Sequence, residues 1–289
     1  MSTVPAKMQR VCVIGLGLMG GSLGLALRQR GLAAHVVGCG REALLHRAAE
    51  LGVIDSGSTD VGEAVAGSDF VFLCTPVETS IRLMREIAPK LKPGALLTDV
   101  GSTKAAFAAA AREVFGDEAH QRVLPGHPLA GRELSGLEHA SSDLYADCVW
   151  TLTPLGESAV ASHETLRAII RAIGARVVDV TPEEHDRTLA YTSHLPQMLS
   201  TALALTLEDA FGAGNPALEI HAGGLRSMLR LAMSEPAMWE QIAASNPENI
   251  AAALERFESE LRKLRECLGN AEFRKKFEEA RKFAKELRN

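Results

Sequence analysis

Val11-Cys12-Val13-Ile14-Gly15-Leu16-Gly17-Leu18-Met19-Gly20-Gly21-Ser22-Leu23 decides how the first half of this chain folds. The β-branched, apolar run at residues 10–14 breaks at Gly15, and helical apolar spacing takes over across residues 22–30 before Gly31. The order is therefore strand, glycine turn, helix. Gly15, Gly17 and Gly20 spell G-x-G-x-x-G, with Leu18 and Met19 between the last two glycines. In such a turn the first glycine permits the tight bend and the second lets backbone approach a pyrophosphate. The third lets the helix pack on the strand. Backbone N–H groups and the helix dipole then face the phosphates. Glycine-rich helix entries also arise from packing alone. At the start of a βαβ unit, however, the nucleotide reading outweighs that one.

Working outward, strands are predicted at residues 35–38, 69–74, 95–99, 149–153 and 176–180. Helices are predicted at 42–51, 80–91, 104–115 and 161–173. Strands alternating with helices imply a parallel sheet covered on both faces. After about residue 181 strand signals stop, and helical periodicity runs through 183–213, 235–246 and 247–267. Residues 195–207 are apolar almost all round, which predicts a helix buried on every side. The last segment sets Phe273, Phe277, Ala280, Ala284 and Leu287 on one stripe, with the bland reading of a solvated surface helix. The expectation is an α/β domain at 1–181 and an all-helical domain at 182–289.

Composition narrows the function classes. A chain of 289 residues suits two domains at about 150 each. Net charge is −5, from 31 basic and 36 acidic side chains, so no positive field exists to hold nucleic acid or an anionic membrane. The five cysteines are odd in number, widely spaced and free of C-x-x-C pairs. That pattern excludes a disulfide scaffold and a Cys-rich zinc site, so no metal is expected, and it points to a cytoplasmic protein. The longest uncharged stretch, residues 11–27, holds five glycines and is short for a membrane span.

The choice of dinucleotide hangs on the end of the second strand, where an NAD site carries a carboxylate. Here it reads Gly38-Cys39-Gly40-Arg41. Arg41 can pair with a 2′-phosphate, so NADP is favoured over NAD; the other reading is a solvated first-turn residue. Cys74-Thr75-Pro76 follows another strand, where loops at carboxyl ends form the cofactor crevice. In Asp99-Val100-Gly101-Ser102-Thr103-Lys104, Ser102 or Thr103 reads best as an ordinary helix N-cap. Gly126-His127-Pro128-Leu129-Ala130-Gly131-Arg132-Glu133 reads as a rigid loop holding one imidazole, suited to general-base work or to a structural role. Glu184-His185-Asp186 and Ser193-His194-Leu195-Pro196-Gln197 place polar groups against an apolar helix, and both also read as helix-start signals. Arg226 and Arg230 are four apart without an acidic neighbour, so on a cleft they want an external anion and on the surface they mean nothing.

Taken in order, GLGLMGGSL, FLCTP, DVGSTK, GHPLAGRELSG, HD, SHLP, R-x-x-x-R and SEPAMW resemble the prephenate/arogenate dehydrogenase family of tyrosine biosynthesis over nearly the whole chain. The resemblance implies a Rossmann-type doubly wound parallel sheet followed by an all-helical, substrate-binding dimerisation domain. It implies a homodimer and a chain of catalytic-core length, without a fused mutase or regulatory domain. The substrate it implies is a cyclohexadienol with a ring carboxylate and a 4-hydroxyl group, oxidised with loss of CO2 to a phenol. On that resemblance His127 accepts the hydroxyl proton and Ser102 holds both that histidine and the hydroxyl. Arg230 grips a carboxylate; His185, Ser193, His194, Gln197 and Arg226 line the pocket, and Glu133 stands at its mouth. Trp239 is offered across the dimer interface.

Two departures bear on specificity. Gln197 stands where prephenate-preferring members often carry a second histidine, and Ser227 stands where R-D-x-T-R has aspartate. With Gly40-Arg41 they lean towards an NADP-dependent arogenate dehydrogenase. Two rivals are another two-domain reductase, of pyrroline-carboxylate or β-hydroxyacid type, and a non-catalytic NADP-sensing protein.

Overall fold

β1 (Met8–Ile14) lies at the centre of a five-stranded sheet, because its apolar run is buried on both faces. The computed structural model describes residues 7–131, 134–157 and 160–287. α1 (Leu18–Gln29) returns the chain to β2 (Ala33–Cys39), α2 (Glu42–Glu50) leads to the short β3 (Ser56–Ser58), and α3 (Val61–Val65) crosses to β4 (Phe70–Leu73). α4 (Val77–Ile87) then feeds β5 (Leu96–Asp99), which is followed by α5 (Ala105–Phe115) and α6 (Ala119–Arg122). All pairs are parallel, in the order β3-β2-β1-β4-β5. The order reverses between β1 and β4, the crevice where open α/β sheets bind ligands.

The predicted strands at 149–153 and 176–180 do not join this sheet. β6 (Gly126–Pro128), β7 (Val149–Leu152) and β8 (Arg176–Asp179) make a second sheet, with β6 antiparallel to β7 and β8 parallel to it after α7 (Ala161–Ala172). Residues 126–128, read as loop, are thus an edge strand. Pro128 is tolerated there because an edge strand need not donate on its outer side. Trp150 and Tyr145 fill the space between the two sheets, their rings 5.0 Å apart.

Beyond β8 every element is helical: α8 (Pro182–Leu189), α9 (Leu195–Phe211), α10 (Gly223–Leu229), α11 (Pro236–Ser245), α12 (Pro247–Glu266) and α13 (Ala271–Glu286). α8 starts in a full capping box, with the Thr181 hydroxyl accepting from Glu184 N–H and Pro182 in the first turn. A π-helical turn (Ala190–His194) joins α8 to α9, where Pro196 cannot donate an N–H and its ring crowds the preceding turn. α9 corrects one expectation. It is not buried all round: only Gln197 and Ser200 are buried, and Leu205 is 60% exposed. One chain supplies too few neighbours to cover an apolar helix on every side. Among the described residues, no helix is long and apolar enough to cross a membrane.

Candidate active site

The glycine turn sits at the sheet's reversal point. Gly15 has φ +94°, a conformation that favours glycine, and a Cβ there meets the Cys74 carbonyl oxygen at 2.7 Å. A Cβ at Gly20 meets the Gly15 carbonyl oxygen at 2.0 Å, so helix and turn are in backbone contact. A Cβ at Gly17 meets nothing within 4 Å, so this glycine faces open space. α1 carries no side-chain cap and no acidic residue in its first turn, which leaves its N–H groups for an anion. These features fit a dinucleotide pyrophosphate. Cys74 touches this turn through its Cβ, and burial pushes its thiol pKa up, which keeps it inert. Thr75 Oγ1 bonds Ser80 Oγ at 2.8 Å, and Pro76 precedes α4 as its N-cap. Arg41 is exposed at the α2 N-cap, and its side chain has no hydrogen bond among the described residues.

A second constellation forms where three strand ends meet the helical part. His127 Nδ1 lies 2.9 Å from His185 Nε2, and His185 Nδ1 lies 2.8 Å from Asp186 Oδ1. Burial pushes both imidazole pKa values down, so both rings are neutral at pH 7. A carboxylate can only accept, so His185 Nδ1–H donates to Asp186 and its Nε2 must accept. His127 Nδ1–H then donates to His185, and the lone pair falls on His127 Nε2. That nitrogen has no hydrogen bond among the described residues.

Asp186 does a second task. Its carboxylate accepts from Lys104 N at 2.7 Å and Ala105 N at 2.9 Å, capping α5 from the helical part. The cap expected of Ser102 or Thr103 is therefore absent; Thr103 Oγ1 donates instead to Ser245 Oγ at 2.9 Å. Ser102 is half-buried and, among the described residues, does not bond His127, whose Nδ1 belongs to His185.

The Lys104 ammonium and the Asp99 carboxylate form an ion pair, both side chains 0% exposed. Lys104 Nζ also donates to Gly126 O at 2.8 Å, while Asp99 accepts from Gly126 N at 3.1 Å and Gly101 N at 2.9 Å. The residue before His127 is thus held at both its N–H and its C=O. Burial pulls the Lys104 pKa down and Asp99 opposes it. The sequence quotes DVGSTK, but the pairing of its first and last residues becomes visible only when the strand end folds back.

His194 is buried; burial pushes its pKa down to about 4. Asn246 Nδ2 reaches its Nδ1 at 3.5 Å and donates to Asp186 O at 2.9 Å, a link with no sequence signal. Trp239, expected across an interface, stands edge-on to His194 of its own chain, ring centroids 5.9 Å apart. Gln197, expected to line the pocket, instead spends its amide on Leu231 O at 2.8 Å and on the Ser234 hydroxyl at 3.3 Å. Ser193 lies half-buried in the π turn. Arg226 and Arg230 do not share one α-helix: α10 ends at Leu229, and Arg230 opens a 3-10 turn (Arg230–Met233), because the chain there is pinned to α9. Glu133 lies outside the described residues. A cavity of about 930 Å3 between α4 and α11 contains none of the expected site residues.

A dinucleotide turn and a neutral, oriented imidazole in one chain are the working parts of a dehydrogenase. The family model for the nucleotide-binding domain of prephenate dehydrogenase matches residues 23–179, and that for its dimerization domain matches residues 181–284. The chain belongs to the prephenate dehydrogenase family. The prephenate dehydrogenase of Bacillus subtilis is 30% identical over 256 residues, covering 88% of this chain and 68% of that one. The structure of prephenate dehydrogenase from A. aeolicus with hydroxyphenyl propionate and NAD+ superimposes with TM-score 0.89 at 30% identity, covering 99% of this chain and all of that one. Synechocystis arogenate dehydrogenase superimposes with TM-score 0.83 at 26% identity over 96% of this chain and 100% of that one.

Proposed function

We propose that this protein oxidises arogenate in preference to prephenate, with NADP in preference to NAD, and releases CO2 and a phenol. The observation that carries the chemistry is the His127–His185–Asp186 chain, which leaves a lone pair on His127 Nε2. The bound nicotinamide supplies the hydride acceptor. His127 Nε2 takes the proton of the 4-hydroxyl as hydride leaves the carbon that bears it. His185 holds the ring in that tautomer and shares the developing positive charge, and Asp186 stabilises it in turn. The bond from the ring to its carboxylate then breaks, its electron pair completes the aromatic ring, and the oxygen takes the proton back from His127 to give the phenol. Because aromatisation drives this step, the residues need only position and deprotonate the substrate. Ser102 is the hydroxyl assigned to hold the substrate's 4-hydroxyl, and Arg230 is the cation for a substrate carboxylate.

Gln197 supports arogenate: a neutral amide already committed to backbone offers no cation to a pyruvyl carboxylate. Arg41, exposed beside Gly40, supports NADP through its 2′-phosphate. The relatives' own names include both prephenate and arogenate dehydrogenases. A homodimer through the helical part accounts for the exposed apolar side chains Leu205, Ile220, Met228 and Met233. Initial rates with arogenate or prephenate, each with NAD or NADP, test the proposal. Fast turnover of arogenate with NADP alone is the expected result. Faster turnover of prephenate overturns the substrate assignment, and equal use of NAD overturns the role of Arg41.

A further inference from the structure

α9 buries two residues, and both are polar: Gln197 is 4% and Ser200 1% exposed. Ser200 Oγ donates to Met228 O at 2.6 Å and accepts from Ala232 N at 2.9 Å. Gln197 Nε2 donates to Leu231 O at 2.8 Å, and Gln197 Oε1 accepts from Ser234 Oγ at 3.3 Å. Four hydrogen bonds from two side chains, one helical turn apart, therefore bracket Arg230 on both sides.

The bracketed segment cannot hold its own shape. α10 has seven residues and the following 3-10 turn four, too short for stable helix by themselves, and neither contains a buried residue. The segment's leucines are only half-buried against α9, so these backbone hydrogen bonds help to set the path of the chain at Arg230. Gln197 and Ser200 continue, in steps of three, the stripe that begins with His194. One buried stripe, running from the π turn into α9, thus carries a histidine of the candidate site and the two residues that bond the arginine-bearing turn.

We infer that Gln197 and Ser200 are positioning residues that set where Arg230 stands relative to His194 and His127, and so tune the grip on the substrate carboxylate without touching substrate. This rests on the reading of Arg230 as the carboxylate anchor. It also recasts Gln197: a histidine there is shorter and holds its donor and acceptor on a rigid ring, so it cannot place both where the amide does, and the identity of this residue acts on specificity through the turn.

The test is a double-mutant cycle on the full-length protein, with arogenate and prephenate as substrates. Gln197→Met and Ser200→Ala are each expected to raise KM about five- to tenfold, the worth of one or two hydrogen bonds. They should leave kcat within about twofold and NADPH affinity, read by fluorescence, unchanged. In an Arg230→Gln background the same changes should add less than about twofold, because the group they aim is gone. Fully additive effects, or a loss in kcat with KM unchanged, overturn the inference while leaving Arg230 as the anchor. An Arg230→Gln protein with unchanged KM overturns the anchor reading first and the inference with it. Should Gln197→Met not fold, Ser200→Ala, which removes one oxygen, runs the same cycle.

Discussion

Asp186 accepts the backbone N–H of Lys104 at 2.7 Å, so a side chain of the helical part terminates a helix of the nucleotide-binding part. The same carboxylate orients His185, which orients His127. Domain docking and the tautomer of the base therefore depend on one residue.

Asp186→Ala tests that coupling. It removes the α5 cap, worth about 0.5–2 kcal/mol, and leaves a buried histidine N–H unpaired, at about 1–3 kcal/mol more. Thermal unfolding should move down by several degrees. Turnover should fall with it, since His185 can then adopt either tautomer. A variant with unchanged melting temperature and unchanged turnover contradicts both roles.

His127→Asn keeps a polar side chain and removes the base. Turnover is expected to fall about 10²-fold or more, with NADPH affinity preserved because the glycine turn lies elsewhere. Retained turnover under saturating substrate assigns the proton transfer to another group.

Gly40→Asp introduces the carboxylate that an NAD site carries. The position accepts it: a Cβ at Gly40 meets only Leu44 Cδ2, at 3.7 Å. One charged hydrogen bond to a ribose hydroxyl, about 1.5–3 kcal/mol, should shift the ratio of kcat/KM for NAD over NADP by about tenfold or more. An unaltered ratio shows that this strand end does not read the 2′-phosphate.

Stability should fall on acidification because of buried histidines. Burial pushes His163 and His194 down to about 4, and pushes His127 and His185 down as well. An unfolded histidine titrates near 6.5. Above that pH both states are neutral and these groups contribute no pH dependence. Between 6.5 and about 4 the unfolded chain binds protons that the folded chain refuses, at up to about 1.4 kcal/mol per pH unit for each histidine. Melting temperatures measured from pH 8 to pH 4 should be level at first and drop steadily below 6.5. A flat profile across that window contradicts the burial of these rings.

Much of this was legible in the linear chain because the signals are local. Gly15, Gly17 and Gly20 declare a turn through their missing side chains, and the alternation of apolar runs with helical spacing declares the layered sheet. His127 stood out for the glycines and proline around it. The second sheet was less legible, because a three-residue edge strand ending in proline looks like a loop in any short window. The misread burial of α9 has a similar origin, since composition reports how apolar a helix is and not how many neighbours one chain can bring to it.

What the sequence by itself determined is the inventory: a dinucleotide turn, a histidine in a constrained segment, a helical second part, and the chemistry these residue types permit. What only the tertiary structure decided is which of them meet. Asp99 and Lys104 close on Gly126, and His185 rather than Ser102 takes the ring of His127. Asp186 crosses to α5, and Gln197 turns from the pocket to the backbone around Arg230. The reason is physical: a buried polar group must find a partner, and which partner lies within about 3 Å is set by how distant segments pack.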